Sequence, residues 1–367
     1  VRVLVVNAGS SSLKLSVLDG ETVCAARELP APSSEIDSAQ VTAAARELGA
    51  VDAVGHRIVH GGDLYLEPAR ITDEVLVGLR GLCDLAPLHQ AKSLAALLAV
   101  SEAWTSCPAV ACFDTAFHAT IPPGASTYAL PGSWREQWGL RRYGFHGLSH
   151  AYASRRATEL LDRDPDGLRI VTCHLGAGAS LAAVRSGRSV DTTMGFTPLE
   201  GLAMATRSGS VDPGLLLWLL ERTELGEHEM AYALEHESGM LALAGSADMR
   251  AVIDAAAAGD GSAQLALDVY VHRLRAGIAA MAAAMDGLDA VVWTGGVGEH
   301  APTIRAAAAA GLGFLGLRID EERNRKATGD ADVTAPGATV RALVVQARED
   351  LEIARQVAGV LGVSAAG

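Results

Sequence analysis

The stretch VRVLVVNAGSSSLKLSVLDG, residues 1–20, returns 167 positions later as LRIVTCHLGAGASLAAVRSG. Arg2 falls on Arg169, Gly9 on Gly176, Val17 on Val184 and Gly20 on Gly187. A repeat of this size restricts the available folds more sharply than composition does. Each copy reads as a strand, a Gly-rich polar turn, a second strand and a second turn. The spacing therefore predicts two similarly built domains, each opening with a β-hairpin. A two-residue hairpin turn needs only Gly or Asn-Gly. The first tip instead carries Asn7, Ser10, Ser11 and Ser12, with Lys14 just beyond. That surplus of hydroxyls and a cation points to an anion held at the tip.

After each hairpin, short strands alternate with helical patterns, the α/β signature. Ala53–Val59, Ala109–Phe113, Ala290–Thr294 and Val340–Val345 read as strands. Ser93–Val100, Asp212–Arg222 and Gly261–Met285 read as helical, and Asp350–Leu361 as a closing helix that returns to the first domain. Pro30–Ser38 reads as a loop and Pro122–Gly132 as a turn-rich connector. The length of 367 residues agrees with about two domains.

Charge narrows the partners. A net charge of −13 argues against nucleic acid, which is bound by clustered Lys and Arg. Lysine occurs only at positions 14, 92 and 326, so Lys14 at the hairpin tip stands out. Five scattered cysteines without a Cys-x-x-Cys pair fit reduced thiols. No basic leader and no apolar stretch of about 18–20 residues is visible. The expectation is a cytoplasmic protein without a membrane span.

Three glycine loops follow apolar strands: Asn7–Lys14, His174–Ser180 and Thr294–His300. None is a Walker A loop, and none completes the dinucleotide-binding G-x-G-x-x-G pattern at a helix start. Together they resemble a phosphate cradle, because glycine lets backbone N–H groups approach phosphate oxygens. Phosphoryl transfer also needs cations at the migrating group. Arg57 lies inside an apolar strand and Arg207 in a loop before Pro213. His146 sits among Gly144, Phe145 and Gly147, placed to donate to a phosphoryl oxygen. His89 and His174 occupy turn positions. His56 and His60 are four apart in strand pattern, too far apart to share a metal. Asp114 and Glu349 close strands at the usual ligand end of an open α/β sheet, where either suits Mg²⁺.

The strings NAGSSSLKLSV, GHRIVHGG, LAPLHQ, FDTAFH, YGFHGLSH, HLGAGASLAAV, DTTMGFTPLEGLAMATRSGSVDPG and TGGVGEH, in this order, resemble the acetate kinase family. The resemblance covers residues 1 to about 356. It implies two similar domains of the actin-like ATPase (ribonuclease H-like) type with the site in the cleft between them. The implied boundaries are 1–117 plus 351–367 for the first domain and 118–350 for the nucleotide-binding one. It further implies reversible, direct in-line transfer of the ATP γ-phosphoryl to acetate with Mg²⁺ (or Mn²⁺), giving acetyl phosphate and ADP, in a homodimer.

By motif match, Arg57 and Arg207 would clamp acetate and the migrating phosphoryl group, His146 would bond that group, and Asp114 would lie beside it. Asn7 and Glu349 would face the metal. Ser10, Ser12, Lys14, His174, Leu175, Gly176, Ala177 and Gly178 would line the phosphates, with His174 supporting the transition state and His89 a site position. Asp248, Met249, Arg250, Gly295, Gly296, Val297 and Gly298 would receive the adenosine. Val59, Leu88, Phe145 and Pro198 would form the acid's apolar slot. One methylene there is worth only ~1–3 kcal/mol, so propionate, the alternative substrate along with other short-chain acids, should react more slowly. The resemblance departs at Ala177, Gln90, Ser210 and His300, where Asn, Asn, an acid and Asn are usual, and at Gln346-Ala347-Arg348 before Glu349. A nucleotide-driven switch of the actin type is the reading from another class.

Overall fold

Short apolar runs rich in Val, Leu and Ala, buried along most of their length, build two six-stranded sheets of the same design. The computed structural model describes residues 1–9, 12–30, 37–83 and 87–363, with the backbone alone at Pro87–His89. The first sheet contains β1 (Arg2–Ala8), β2 (Ser12–Asp19), β3 (Thr22–Pro30), β4 (Ala53–Ile58), β5 (Ala69–Arg70) and β6 (Ala109–Phe113), in the order β3-β2-β1-β4-β6-β5. The second contains β7 (Arg169–Leu175), β8 (Ala179–Arg185), β9 (Arg188–Thr192), β10 (Ala290–Thr294), β11 (Ala331–Asp332) and β12 (Arg341–Val344). Read from its far edge, its order is β9-β8-β7-β10-β12-β11, the same path. Each sheet joins an antiparallel meander to two parallel strands and ends on a short antiparallel edge strand.

The repeat is thus a repeat of topology, with one correction to its register. β1 maps onto β7 at an offset of 167, but Val3 pairs with Leu18 while Ile170 pairs with Val184. Beyond the tip the equivalent of Val184 is therefore Leu18, one residue later than the sequence alignment places it. The cause is loop length: four residues separate Ala8 from its partner Leu13, and three separate Leu175 from Ala179. Gly20 and Gly187 consequently occupy different turn positions. Gly20 has φ 58°, while Ser186 and Gly187 have φ 52° and 73°. Both central residues at positive φ give the second hairpin a turn of the I′ type. A register shift at Val17/Leu18 recurs at Ala183/Val184, as the corrected offset requires.

Contacts divide the chain into one unit of Val1–Ala119, Phe145–Tyr152 and Arg348–Gly367, and another of Thr120–Gly144 and Ala153–Ala347. The sequence boundaries did not foresee the return of Phe145–Tyr152 to the first unit. In that unit, helices Ser38–Glu47 and Pro87–Ala103 cover one sheet face, over Leu4, Val6, Leu13, Leu15 and Val54. The closing helix Glu349–Leu361 covers the other through Ile353, Ala354 and Val357, against Val3, Val5, Ala53 and Val110. In the second unit, the helix Gly261–Ala284 packs on β7 and β8 through Leu274 and Ile278.

Several sequence assignments shift in detail. The strand from Ala53 stops at Ile58, and β12 spans Arg341–Val344. Asp212 and Met285 cap their helices instead of joining them. Thr294–His300 is not a loop: Thr294 ends β10 and Gly295–His300 forms a short helix. The connector Pro122–Gly132 contains a helical turn, Pro123–Ser126. Most of the Pro30–Ser38 loop lies outside the described residues. Among the described residues, no helix is long and apolar enough to cross a membrane.

Candidate active site

Parallel pairing of β1, β4 and β6 brings Asn7, Arg57 and Asp114 to one end of the first sheet. Arg57 donates from Nε and Nη2 to Asp114 Oδ2 at 3.1 and 2.6 Å, and from Nη1 to Asn7 Oδ1 at 3.0 Å. Asn7 Nδ2 donates to Glu349 Oε2 at 2.7 Å, and that oxygen stands 4.0 Å from the guanidinium. The Arg57 and Asp114 side chains are 13% and 2% exposed. Burial opposes the Arg57 charge, but the Asp114 and Glu349 carboxylates outweigh it and hold the guanidinium above its ordinary value. Burial pushes the Asp114 carboxyl above the usual carboxylate range, against the pull of Arg57.

His146 adopts φ 56°, a left-handed conformation that costs a non-glycine residue about 1–2 kcal/mol. The next residue supports it. The Gly147 N–H donates to the Asp114 carbonyl at 2.9 Å, and a Cβ at 147 would overlap that carbonyl. His146 thereby stands beside Asp114 at the start of the helix Gly147–Leu161.

Nearby, Val59 and Phe145 are buried. The Phe145 ring meets His60 edge-on at 5.4 Å, and its carbonyl lies 3.0 Å from His118 Nε2. Gln90, one of the departures from the family pattern, binds both backbone groups of His60: its Oε1 accepts from the N–H at 3.2 Å and its Nε2 donates to the carbonyl at 3.1 Å. Thr115 Oγ1 accepts from Gly61 N at 3.0 Å. Sequence reading missed Gln90, Thr115 and His118 as supports for this loop, because each acts through backbone far away in the chain. Ser10 and the side chains of Leu88 and His89 lie outside the described residues. The Ser12 hydroxyl donates to Glu28 Oε1 on β3 at 2.7 Å, so it is already engaged. Lys14 is exposed and pairs in register with Asn7, placing both on one sheet face.

The second unit holds the other candidates. At its hairpin tip Gly176 N donates to the Gly178 carbonyl, and the Ala177 carbonyl accepts from Ala205 N at 3.0 Å. Gly176 and Ala177 line a cavity of about 640 Å³ with Asp248, Met249, Arg250, Gly296 and Val297. Met240, Ile253, Asp254, Tyr270 and His300 complete much of the wall, and only His300 had been singled out. They sit on separate helices, where no local motif marks them. Leu175 and Gly295 are buried behind the tip, with Gly295 packed against the Leu175 backbone. Gly298 is buried beside Trp293, and His174 is the penultimate residue of β7, before Leu175. Asp248 caps the helix Met249–Ala257 through Arg250 N and pairs with the Arg250 guanidinium at 2.9 Å.

Arg207 is half-buried and donates to the Pro198 carbonyl at 3.2 Å and to Met204 Sδ at 3.7 Å. Among the described residues no carboxylate lies within ion-pair distance of it. Burial lowers its affinity for its proton, and Glu235 only partly restores it. A guanidinium so placed lacks the anion that normally justifies burying it.

Among the described residues, no three His, Cys, Asp or Glu gather as a metal cluster. Mg²⁺ does not require one, since it usually takes one or two carboxylates with phosphate oxygens and water. Glu349, its side chain 16% exposed with the Asn7 amide against it, fits such a donor set.

The sequence pattern of the acetokinase family matches residues 33–355. An acetate kinase of Trichormus variabilis is 49% identical over 311 residues, 84% of this chain and 76% of its own. The crystal structure of Porphyromonas gingivalis acetate kinase superposes with TM-score 0.90 at 35% identity, covering 98% of this chain and 99% of that one. A propionate kinase from Francisella tularensis gives 0.89 at 30% identity, with 98% and 99% covered. On this match, the chain belongs to the acetokinase family.

Proposed function

We propose that this protein transfers the γ-phosphoryl group of ATP reversibly to acetate, giving acetyl phosphate and ADP. Arg207 carries the reading: a half-buried guanidinium without a carboxylate partner suits a carboxylate or phosphoryl oxygen. Arg57, preset by Asp114 and Asn7, directs its charge at the same group, and the strained His146 beside Asp114 donates a hydrogen bond to it. Val59, Phe145 and Pro198 face the methyl group of the acid, and Leu88 is assigned to the same slot by its motif position alone. The 640 Å³ cavity receives the nucleotide, with Gly176–Gly178 at its phosphates and Asp248–Arg250 with Gly295–Gly298 at its adenosine. His174 and Lys14 support the phosphates, and Ser12 joins them on leaving Glu28. Glu349 and Asn7 would hold Mg²⁺ directly or through water, and the chemistry it would supply there is neutralisation of phosphate charge. No residue needs to be phosphorylated when transfer is direct.

The test is hydroxylamine trapping of acyl phosphate with acetate, propionate and butyrate, each with Mg²⁺ or with EDTA. Strong Mg²⁺-dependent signal with acetate and a weaker one with propionate is expected. Equal or better turnover of propionate would favour the activity named for the Francisella tularensis relative, and silence with all three would remove the reading.

The protein acts as a homodimer in the cytoplasm. The helix Pro213–Arg222 buries none of its residues, and Leu217 and Trp218 are 62% and 54% exposed. An apolar helix face of this kind fits a second copy of the chain. Trp218→Glu should convert dimer to monomer by light scattering; an unchanged mass would place the interface elsewhere. All five cysteines are outside disulfides, in keeping with a reducing compartment.

A further inference from the structure

The segment Thr193–Arg207 presents Pro198 and Arg207; Met194, Leu202, Ala203 and Met204 are buried, while the stretch Phe196–Glu200 between them is only half-buried. A cavity of about 270 Å³, lined by Tyr128, Leu130, Leu140, Phe196, Thr197 and Glu200, adjoins it. A backbone segment beside empty space is free to move into it unless polar contacts forbid this. Besides the bonds that Thr193 and Gly195 make with Leu181, Tyr143 and Gly144, the contacts of this stretch converge on one carboxylate.

Glu200 Oε2 accepts from the Tyr128 hydroxyl at 2.6 Å, and Oε1 accepts from Arg142 Nη2 at 2.6 Å. Each partner then grips the segment. Arg142 Nη1 donates to the Thr193 and Met194 carbonyls at 3.1 and 3.0 Å. The Tyr128 oxygen accepts from Phe196 N at 2.9 Å. Two residues further on, the Pro198 carbonyl takes the Arg207 hydrogen bond at 3.2 Å. Burial and the Glu200 carboxylate push the Tyr128 phenol up, so it stays a donor at any working pH.

We infer that Glu200 is a positioning residue that, through Tyr128 and Arg142, fixes Pro198 and Arg207 and so sets which chain length of carboxylic acid is accepted. This rests on the acid-kinase reading given above. Glu200 need not touch substrate. It holds the segment back from the cavity, and release of the segment widens the acid's slot on the Pro198 side while loosening Arg207.

Steady-state kinetics of Glu200→Gln and Tyr128→Phe in the full chain test this, with acetate and propionate as separate acceptors. Displacing a binding group by an ångström is enough for a tenfold or larger change. The KM for acetate should therefore rise about tenfold while the KM for ATP stays within about twofold. The acetate-to-propionate ratio of kcat/KM should fall. The double variant should be little worse than either single one, because the groups act as one unit. A lower melting temperature with unchanged acid KM and unchanged ratio would make Glu200 merely structural and overturn the inference. Tyr128→Phe removes only a hydroxyl, so it decides the matter even if Glu200→Gln does not fold. Absence of acetate turnover in the wild-type protein would instead sink the reading beneath it.

Discussion

Arg57 and Arg207 are both shielded from water, but their charges are handled in opposite ways. Arg57 sits on a strand and is neutralised within its own unit by Asp114 at 2.6 Å, with Glu349 nearby. Arg207 sits in a loop and has a carbonyl and a thioether for partners. An ion pair in a buried site orients a charge but also consumes it, whereas an unpaired guanidinium keeps its full attraction for an incoming anion. On the proposed function, Arg57 therefore serves geometry and Arg207 capture.

The largest effects should come from breaking the two arginines alike. Arg57→Met leaves Asp114 buried without its counter-ion, so about 3–5 kcal/mol of stability should be lost together with activity. Arg207→Met removes an uncompensated buried charge, so unfolding in urea should show unchanged or higher stability. Its kcat/KM for acetate should nevertheless fall roughly 100- to 1,000-fold. Equal destabilisation by both substitutions would abolish the contrast.

Acid should erode the paired arm next. Because burial raises the Asp114 pKa, this carboxyl takes up its proton earlier than an ordinary one as pH falls, and Arg57 then approaches the condition of Arg207. The first unit also buries His56, His60 and His118, whose pKa values burial lowers to about 3, 4 and 4. The unfolded chain protonates these near pH 6.5, so it binds more protons than the folded one below that point. Stability is complete above about pH 6.5 and falls as pH drops toward 4, by up to about 1.4 kcal/mol per pH unit for each histidine. Melting curves at pH 7, 6 and 5 measure this; a flat profile contradicts it, and His118→Gln should reduce the slope.

The smallest effect sharpens the comparison on the nucleotide side. Ala177 lines the 640 Å³ cavity, proposed above for the nucleotide, with no side-chain polar atom. Ala177→Asn, restoring the amide usual in the family, should lower the KM for ATP by a factor corresponding to about 0.5–1.5 kcal/mol. No change in KM would mean the backbone of Gly176–Gly178 suffices.

Much of this was legible along the chain. β6 and β10 fall where apolar runs predict them, and the closing helix begins one residue earlier than its pattern suggests. The hairpin repeat is visible because the first strand of each copy is a nearly continuous apolar run buried within its sheet. What escaped was anything decided by a distant partner. Gly295–His300 reads as a glycine loop, yet it is helical because it continues from the buried end of β10. Gln90 looks like a lapse from a motif, yet it completes the backbone bonding of His60 thirty residues away.

The sequence alone determined the α/β class, the duplicated hairpin and the family, and it singled out Arg57, Asp114, His146 and Arg207 for the proposed site, since periodicity and motif spacing are local properties. The tertiary structure alone decided that Arg57 is paired and Arg207 is not. It also decided that the repeat slips by one residue past the tip, and that Glu200 joins Tyr128 and Arg142 across 72 and 58 positions. Electrostatic balance and hydrogen-bond closure depend on which groups meet in space, and spacing along the chain does not encode that directly.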